Sequence, residues 1–122
     1  MTTLEQINQD DRKLELALNS KGRKFSVQLS NVGNPDYRQD SGRPLPETVC
    51  GWAQVDTLKE ASELCRLYIS FYELGGGNWN GGLITQNDNG LVVGHVSYNG
   101  RVWEGATWTR GAKPIFDLSA AD

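Results

Sequence analysis

Residues 24–30 alternate polar and apolar side chains one by one, with Phe25, Val27 and Leu29 on one side and Lys24, Ser26 and Gln28 on the other. A period of two is that of a β-strand with one face buried. Residues 49–55 carry a second alternation, Val49, Gly51, Ala53 and Val55 against Cys50, Trp52 and Gln54. From Thr57 to Leu74 the period lengthens. Leu58, Ala61, Leu64, Cys65, Tyr68, Phe71 and Tyr72 recur every three or four positions, which draws one wide apolar stripe along a helix. Thr57 and Glu60 stand at capping-box spacing in front of it, and Gly75 stands where a helix closes. The stripe predicts a sheet for this helix to pack on.

Residues 1–20 predict an N-terminal helix, Thr2 to Asn19, with Thr2 and Glu5 as its capping pair. Its stripe of Leu4, Ile7, Leu14 and Leu18 is interrupted by Asp10 and Asp11, and Ser20-Lys21-Gly22 ends it. Residues 31–46 are Gly, Pro, Asn, Asp and Ser with almost no apolar area, so they form a loop longer than connections usually run. In the C-terminal half, turns at Asn89-Gly90 and Asn99-Gly100 divide the runs Leu83–Gln86, Leu91–Tyr98 and Arg101–Trp108. Asn-Gly between strand-like runs marks a hairpin, because both central residues of the tight turn need positive φ. A three-stranded antiparallel meander follows. Residues 111–122 are a tail that Ile115, Phe116 and Leu118 tie to the core.

The order predicts one α+β domain over residues 1–122. Its ββαβββ core is an antiparallel sheet of about five strands, with the long helix on one face and the short N-terminal helix beside it. The order of strands within the sheet does not follow from the pattern.

Composition narrows the function. With 122 residues there is room for one core, 38% hydrophobic and 22% charged residues are ordinary for a globular chain, and 14 Gly imply many turns. The longest apolar runs, such as Leu91-Val92-Val93, fall far short of the roughly 18 residues of a membrane helix. Met1 to Asp11 carries acids and amides where a signal peptide would need a basic start and an apolar run. A cytoplasmic chain without a membrane partner is expected, and in that compartment Cys50 and Cys65 read as small hydrophobes rather than a disulfide. A net charge of −3 argues against nonspecific nucleic-acid binding, and the acids are too scattered for a DNA mimic.

Catalytic chemistry finds little to build on, so no enzyme, metal or cofactor is expected. His95 is the single histidine and lies within a strand pattern. A Cys-His pair with Cys50 or Cys65 lacks an activating group, and a zinc site would need carboxylates as well. The Asn87-Asp88-Asn89-Gly90 turn fails as a calcium loop, since Thr85 and Val96 stand at its first and twelfth positions. The Gly-rich run Gly75 to Gly82 follows a helix and precedes a strand, the reverse of a phosphate-binding loop, although a nest of N–H groups for an anion stays open.

The rings and guanidinium groups point to binding. Trp79 stands between Asn78 and Asn80 in the Gly-rich run, Tyr98 flanks the second Asn-Gly turn, and Arg101 and Trp103 follow it. Trp103 and Trp108, at odd separation on one strand, should face opposite ways. We therefore expect a binding face of Asn78, Trp79, Asn80, Tyr98, Arg101 and Trp103, with Tyr37, Arg38 and Arg43 of the long loop as a second contact. Trp, Tyr and Arg dominate binding hot spots. The competing reading, tryptophans that plug a shallow core, stays open. The leading expectation is a non-catalytic binder or inhibitor of another protein. Alternatives are a nucleotide-like small-molecule anion held by the Gly-rich backbone with Arg101 or Arg110, and an enzyme built on His95. A homodimer through the edge strand that ends at Trp108 is a further expectation.

The segments C-R-L-Y-I-S-F-Y-E-L-G-G-G-N-W-N-G-G and V-S-Y-N-G-R-V-W-E, between Cys65 and Glu104, resemble small orphan proteins carried by phages, plasmids and other mobile elements. The resemblance implies an accessory factor that binds and blocks host machinery, anti-defence inhibitors included. It carries over no residue roles.

Overall fold

The computed structural model describes residues 4–106 and 110–117, with side chains for residues 11–106 and 110–116. The element order is α1 (Leu4–Asn19), β1 (Phe25–Leu29), β2 (Gly51–Val55), α2 (Leu58–Phe71), β3 (Leu83–Gln86), β4 (Val92–Val96), β5 (Arg101–Glu104) and β6 (Phe116–Asp117). The fold is α+β, as the pattern predicts. The strands form one antiparallel sheet in the order β2-β1-β3-β4-β5-β6, so the five expected strands are joined by a short sixth.

Burial of one strand face drives this arrangement. Val27, Leu29, Ala53, Val55, Ile84, Val96 and Val102 are buried against Ala61, Leu64, Cys65, Tyr68 and Ile69 of α2 and Leu14 of α1. A Cβ on Gly51 would touch Leu18, which puts α1 over the same face. The β4–β5 turn is docked on α2, where the Ser62 hydroxyl donates to the Gly100 carbonyl across 2.5 Å. Thr57 caps α2 by accepting from the Glu60 amide at 3.0 Å, as its spacing predicts. Thr2 lies outside the described residues.

The ends of α2 and β5 fall earlier than the pattern predicts. Glu73, at φ 53°, takes the left-handed position after α2 in place of Gly75, and the Leu74 amide reaches back to the Ile69 carbonyl at 2.9 Å. The early reversal buries Leu74, which a helix continued to Gly75 would not. β5 ends at Glu104 instead of Trp108, because Gly105 turns the chain at φ 81°; Trp108 lies outside the described residues. β6 then occupies the outer edge of β5 through Arg101–Asp117 and Val102–Phe116, so that strand is no edge for a symmetric dimer. Leu118, the tail's third expected anchor, lies outside the described residues.

Candidate functional site

Strand alternation leaves the second face of the sheet without a helix among the described elements. Gln28 is opposite Trp52 in the β1–β2 register, Leu83 is opposite His95 in β3–β4, and His95 is opposite Trp103 in β4–β5. Ser26 pairs with Thr85 and Val27 with Ile84, so Gln28 falls opposite Leu83 one step further along. Trp52, Gln28, Leu83, His95 and Trp103 therefore make one row across five strands, with an indole at each end. Side chains at such opposite positions are close enough to touch. Trp52 is 43% exposed, and the others of the row are half-buried. The Trp103 indole N–H donates to the Ser97 hydroxyl at 3.1 Å, which fixes that ring on this face.

One end of the face is set by a polar ring. The Ser26 hydroxyl donates to the Asn87 side chain at 2.5 Å and accepts from Gln54 at 2.8 Å, and Asn87 donates back to Gln54 at 2.8 Å. Beside it Arg23 meets Asp56 at 2.6 Å, and the Lys24 amide donates to the same carboxylate. The hydrogen bond from Arg23 holds the Asp56 carboxyl below its ordinary value.

Of the residues expected to form one binding face, the structure brings only Arg101 and Trp103 to this one. Asn78 is 6% exposed, and its side chain accepts from the Gly75 amide and donates to the Val32 carbonyl and to Gln39. It holds the Gly-rich turn to the long loop, which is why a polar side chain is buried there. Trp79 is also turned inward. Its indole N–H donates to the Val96 carbonyl at 3.0 Å and its ring packs against the core beside Tyr68, 6.0 Å between centroids. Tyr98 is bent to the helix side, where its hydroxyl donates to the Leu74 carbonyl, its ring lies under Arg66, and its own carbonyl accepts from Arg66. Asn80 is exposed, apart from this group.

In the long loop Tyr37 is 73% exposed, Arg38 is exposed at a left-handed position, and Arg43 is exposed in an ion pair with Asp40 at 3.1 Å. They form a separate surface. Trp52 and Gln28 were missed as site residues. The alternation placed both away from the core, but only the strand order sets them in line with Trp103.

Other candidate chemistry is committed elsewhere. His95 Nδ1 is 2.9 Å from the Gly105 carbonyl. Cys65 is buried on the inner side of α2, and burial pushes its thiol well above the ordinary value; both cysteines are free. Within the Gly-rich run the amides of Gly75, Asn78 and Gly82 bond to Asn78, Gly75 and Gln28 of the chain itself, which leaves fewer for an anion. Among the described residues no group of three His, Cys, Asp or Glu is placed to hold a metal ion, and no helix is long and apolar enough to cross a membrane. Comparison with family models, with curated proteins and with solved structures finds no match for this chain.

Proposed function

We propose that this chain is a non-catalytic binding protein that holds a protein partner against the sheet face that carries no helix among the described residues. It acts in the cytoplasm as an accessory or inhibitory factor of a mobile element. The observation that supports the reading is the row from Trp52 to Trp103, two indoles kept on the face that neither helix covers. A small domain gains most by burying its tryptophans in its one core, as it does with Trp79. Trp52 is exposed on that face and Trp103 is half-buried on it, and indoles supply large contact area at low entropy cost and anchor protein interfaces. The net charge of −3 favours a protein over a nucleic-acid backbone on that face. The accessory role rests on the resemblance of the Cys65–Glu104 segments.

The test is affinity capture from cells of the native host with the tagged chain, run beside Trp52→Ala, Trp103→Ala and Tyr37→Ala and with thermal melts as a check on folding. The expected result is one enriched protein whose capture falls at least tenfold in each of the two Trp variants and is unchanged in Tyr37→Ala. Equal capture by folded Trp52→Ala and Trp103→Ala overturns the reading.

A further inference from the structure

β2 is an edge of the sheet: β1 pairs with one side of it, and no described strand pairs with the other. We infer that this open edge receives an extended segment of the protein partner as a further antiparallel strand, an inference that rests on the binding reading above. The hydrogen bonds of β1 fix which groups face out. The Lys24 and Gln28 carbonyls accept from the Asn87 and Gly82 amides on the β3 side, at 2.9 and 2.7 Å. Bonding direction alternates along a strand, so Phe25, Val27 and Leu29 bond instead to Val55, Ala53 and Gly51 of β2. The main-chain N–H and C=O groups of Trp52 and Gln54 therefore point to the open side, while both side chains stand on the face opposite the helices.

Proteins protect such edges with charge, proline, a bulge or brevity. β6, at the other side of the sheet, has two described residues, Phe116 and Asp117. β2 has none of these devices: Gly51–Val55 is five residues without charge or proline, in unbroken register with β1. A second copy does not fit there. α1 lies over β2 on the helix side, where a Cβ on Gly51 would come 3.0 Å from Leu18. Two copies paired at this edge would set two such helices over strands about 4.8 Å apart, whereas packed helices need about 8–10 Å. One extended segment brings no second helix. Its chemistry is that of β1, which meets the same strand: apolar side chains toward the helices, alternating with polar ones beside Trp52 and Gln54. The added strand prolongs the row past Trp52, so that edge and sheet face make one contact surface.

The probe is the sequence of β1 as a free peptide, N-acetyl-Lys-Phe-Ser-Val-Gln-Leu-Ser-amide, titrated into the ¹⁵N-labelled chain. The amides of Trp52 and Gln54 are expected to shift saturably and to exchange with solvent at least tenfold more slowly, while those of Ala53 and Val55, already bonded to β1, stay protected throughout. N-methylation of the peptide's first serine and its glutamine removes the donors that face β2 and should weaken binding at least tenfold. N-methylation of its phenylalanine and valine, whose N–H groups point away, should leave binding within twofold. Gln54→Pro removes the outward donor where an edge strand accepts proline, and should lose the peptide at least tenfold; Gln54→Ala keeps that donor and should keep the peptide. Equal loss from both methylation patterns, shifts elsewhere or none, or full affinity of a folded Gln54→Pro overturns the inference. So does a free chain that sediments as two copies with the Trp52 and Gln54 amides already protected, which gives the edge to a second copy. Trp103→Ala should keep the peptide, so failure at the edge is distinct from failure of the sheet-face reading, which that variant decides in the capture experiment.

Discussion

The Asn31 side-chain amide donates to the Tyr68 hydroxyl across 2.8 Å in the interior of the protein, joining the start of the long loop to α2. Both residues are almost fully buried. The Tyr68 hydroxyl in turn donates to the Val49 carbonyl at 2.7 Å, and the Asn31 side-chain Oδ1 accepts from the Leu45 amide at 2.8 Å. One pair therefore pins both ends of residues 31–49, and burial raises the Tyr68 hydroxyl above its ordinary pKa. Tyr68→Phe removes one of the acceptors of the Asn31 amide, which keeps its bond to the Thr48 hydroxyl, and removes the donor to the Val49 carbonyl. It is expected to cost about 1–3 kcal/mol in urea denaturation, with faster hydrogen exchange at the Leu45 amide. An unchanged midpoint would contradict the pinning role.

The tryptophans should separate by stability. Trp79→Ala removes a ring packed on the core and its bond to Val96, and is expected to cost about 3–5 kcal/mol. Trp52→Ala, on the uncovered face, is expected to cost under about 1 kcal/mol. Chemical denaturation of the two variants side by side checks the order.

Two backbone positions predict opposite signs. Glu73 holds a left-handed conformation that glycine adopts freely, so Glu73→Gly should gain up to about 1 kcal/mol. Gly82 has φ +100°, and a Cβ there would lie 2.2 Å from the Val96 carbonyl oxygen, so Gly82→Ala should lose more than about 1 kcal/mol. Thermal melts read both.

Acid should weaken the fold through Asp56. Its pKa is lower in the folded chain than in the unfolded one, so its contribution is present above the unfolded value and is lost as pH falls through the folded value. Urea midpoints taken from neutral pH down into the acid range should drop less steeply in Asp56→Asn than in the parent. Parallel curves would show that the Arg23 pair does not contribute.

Much of the fold was legible because one period governs each element. The alternation of Phe25, Val27 and Leu29 and the stripe from Leu58 to Tyr72 both report burial against a partner layer, and the structure supplies those layers. What the pattern lacked was strand order. β1 sits between β2 and β3, and only that placement aligns Trp52 with Trp103. Asn78 and Trp79 are expected on a binding face because of the residue types that gather there, yet tertiary contacts turn both inward. A local signal existed: a Cβ on Gly81 would come 2.9 Å from the Trp79 ring, so the glycine leaves room for the indole to fold back. The Glu73 turn carried no such sign, since the drive to bury Leu74 overrides the preference for glycine.

Site-specific photo-cross-linking compares the two sides of the protein directly. A photoreactive residue replaces Gln28, beside Trp52 on the sheet face opposite the helices, or Ser70, exposed on α2, and each tagged chain is irradiated in cells of the native host. A protein partner cross-linked from position 28 and absent from position 70 is the predicted result. The same adduct from both positions, or from position 70 alone, would contradict binding through the sheet.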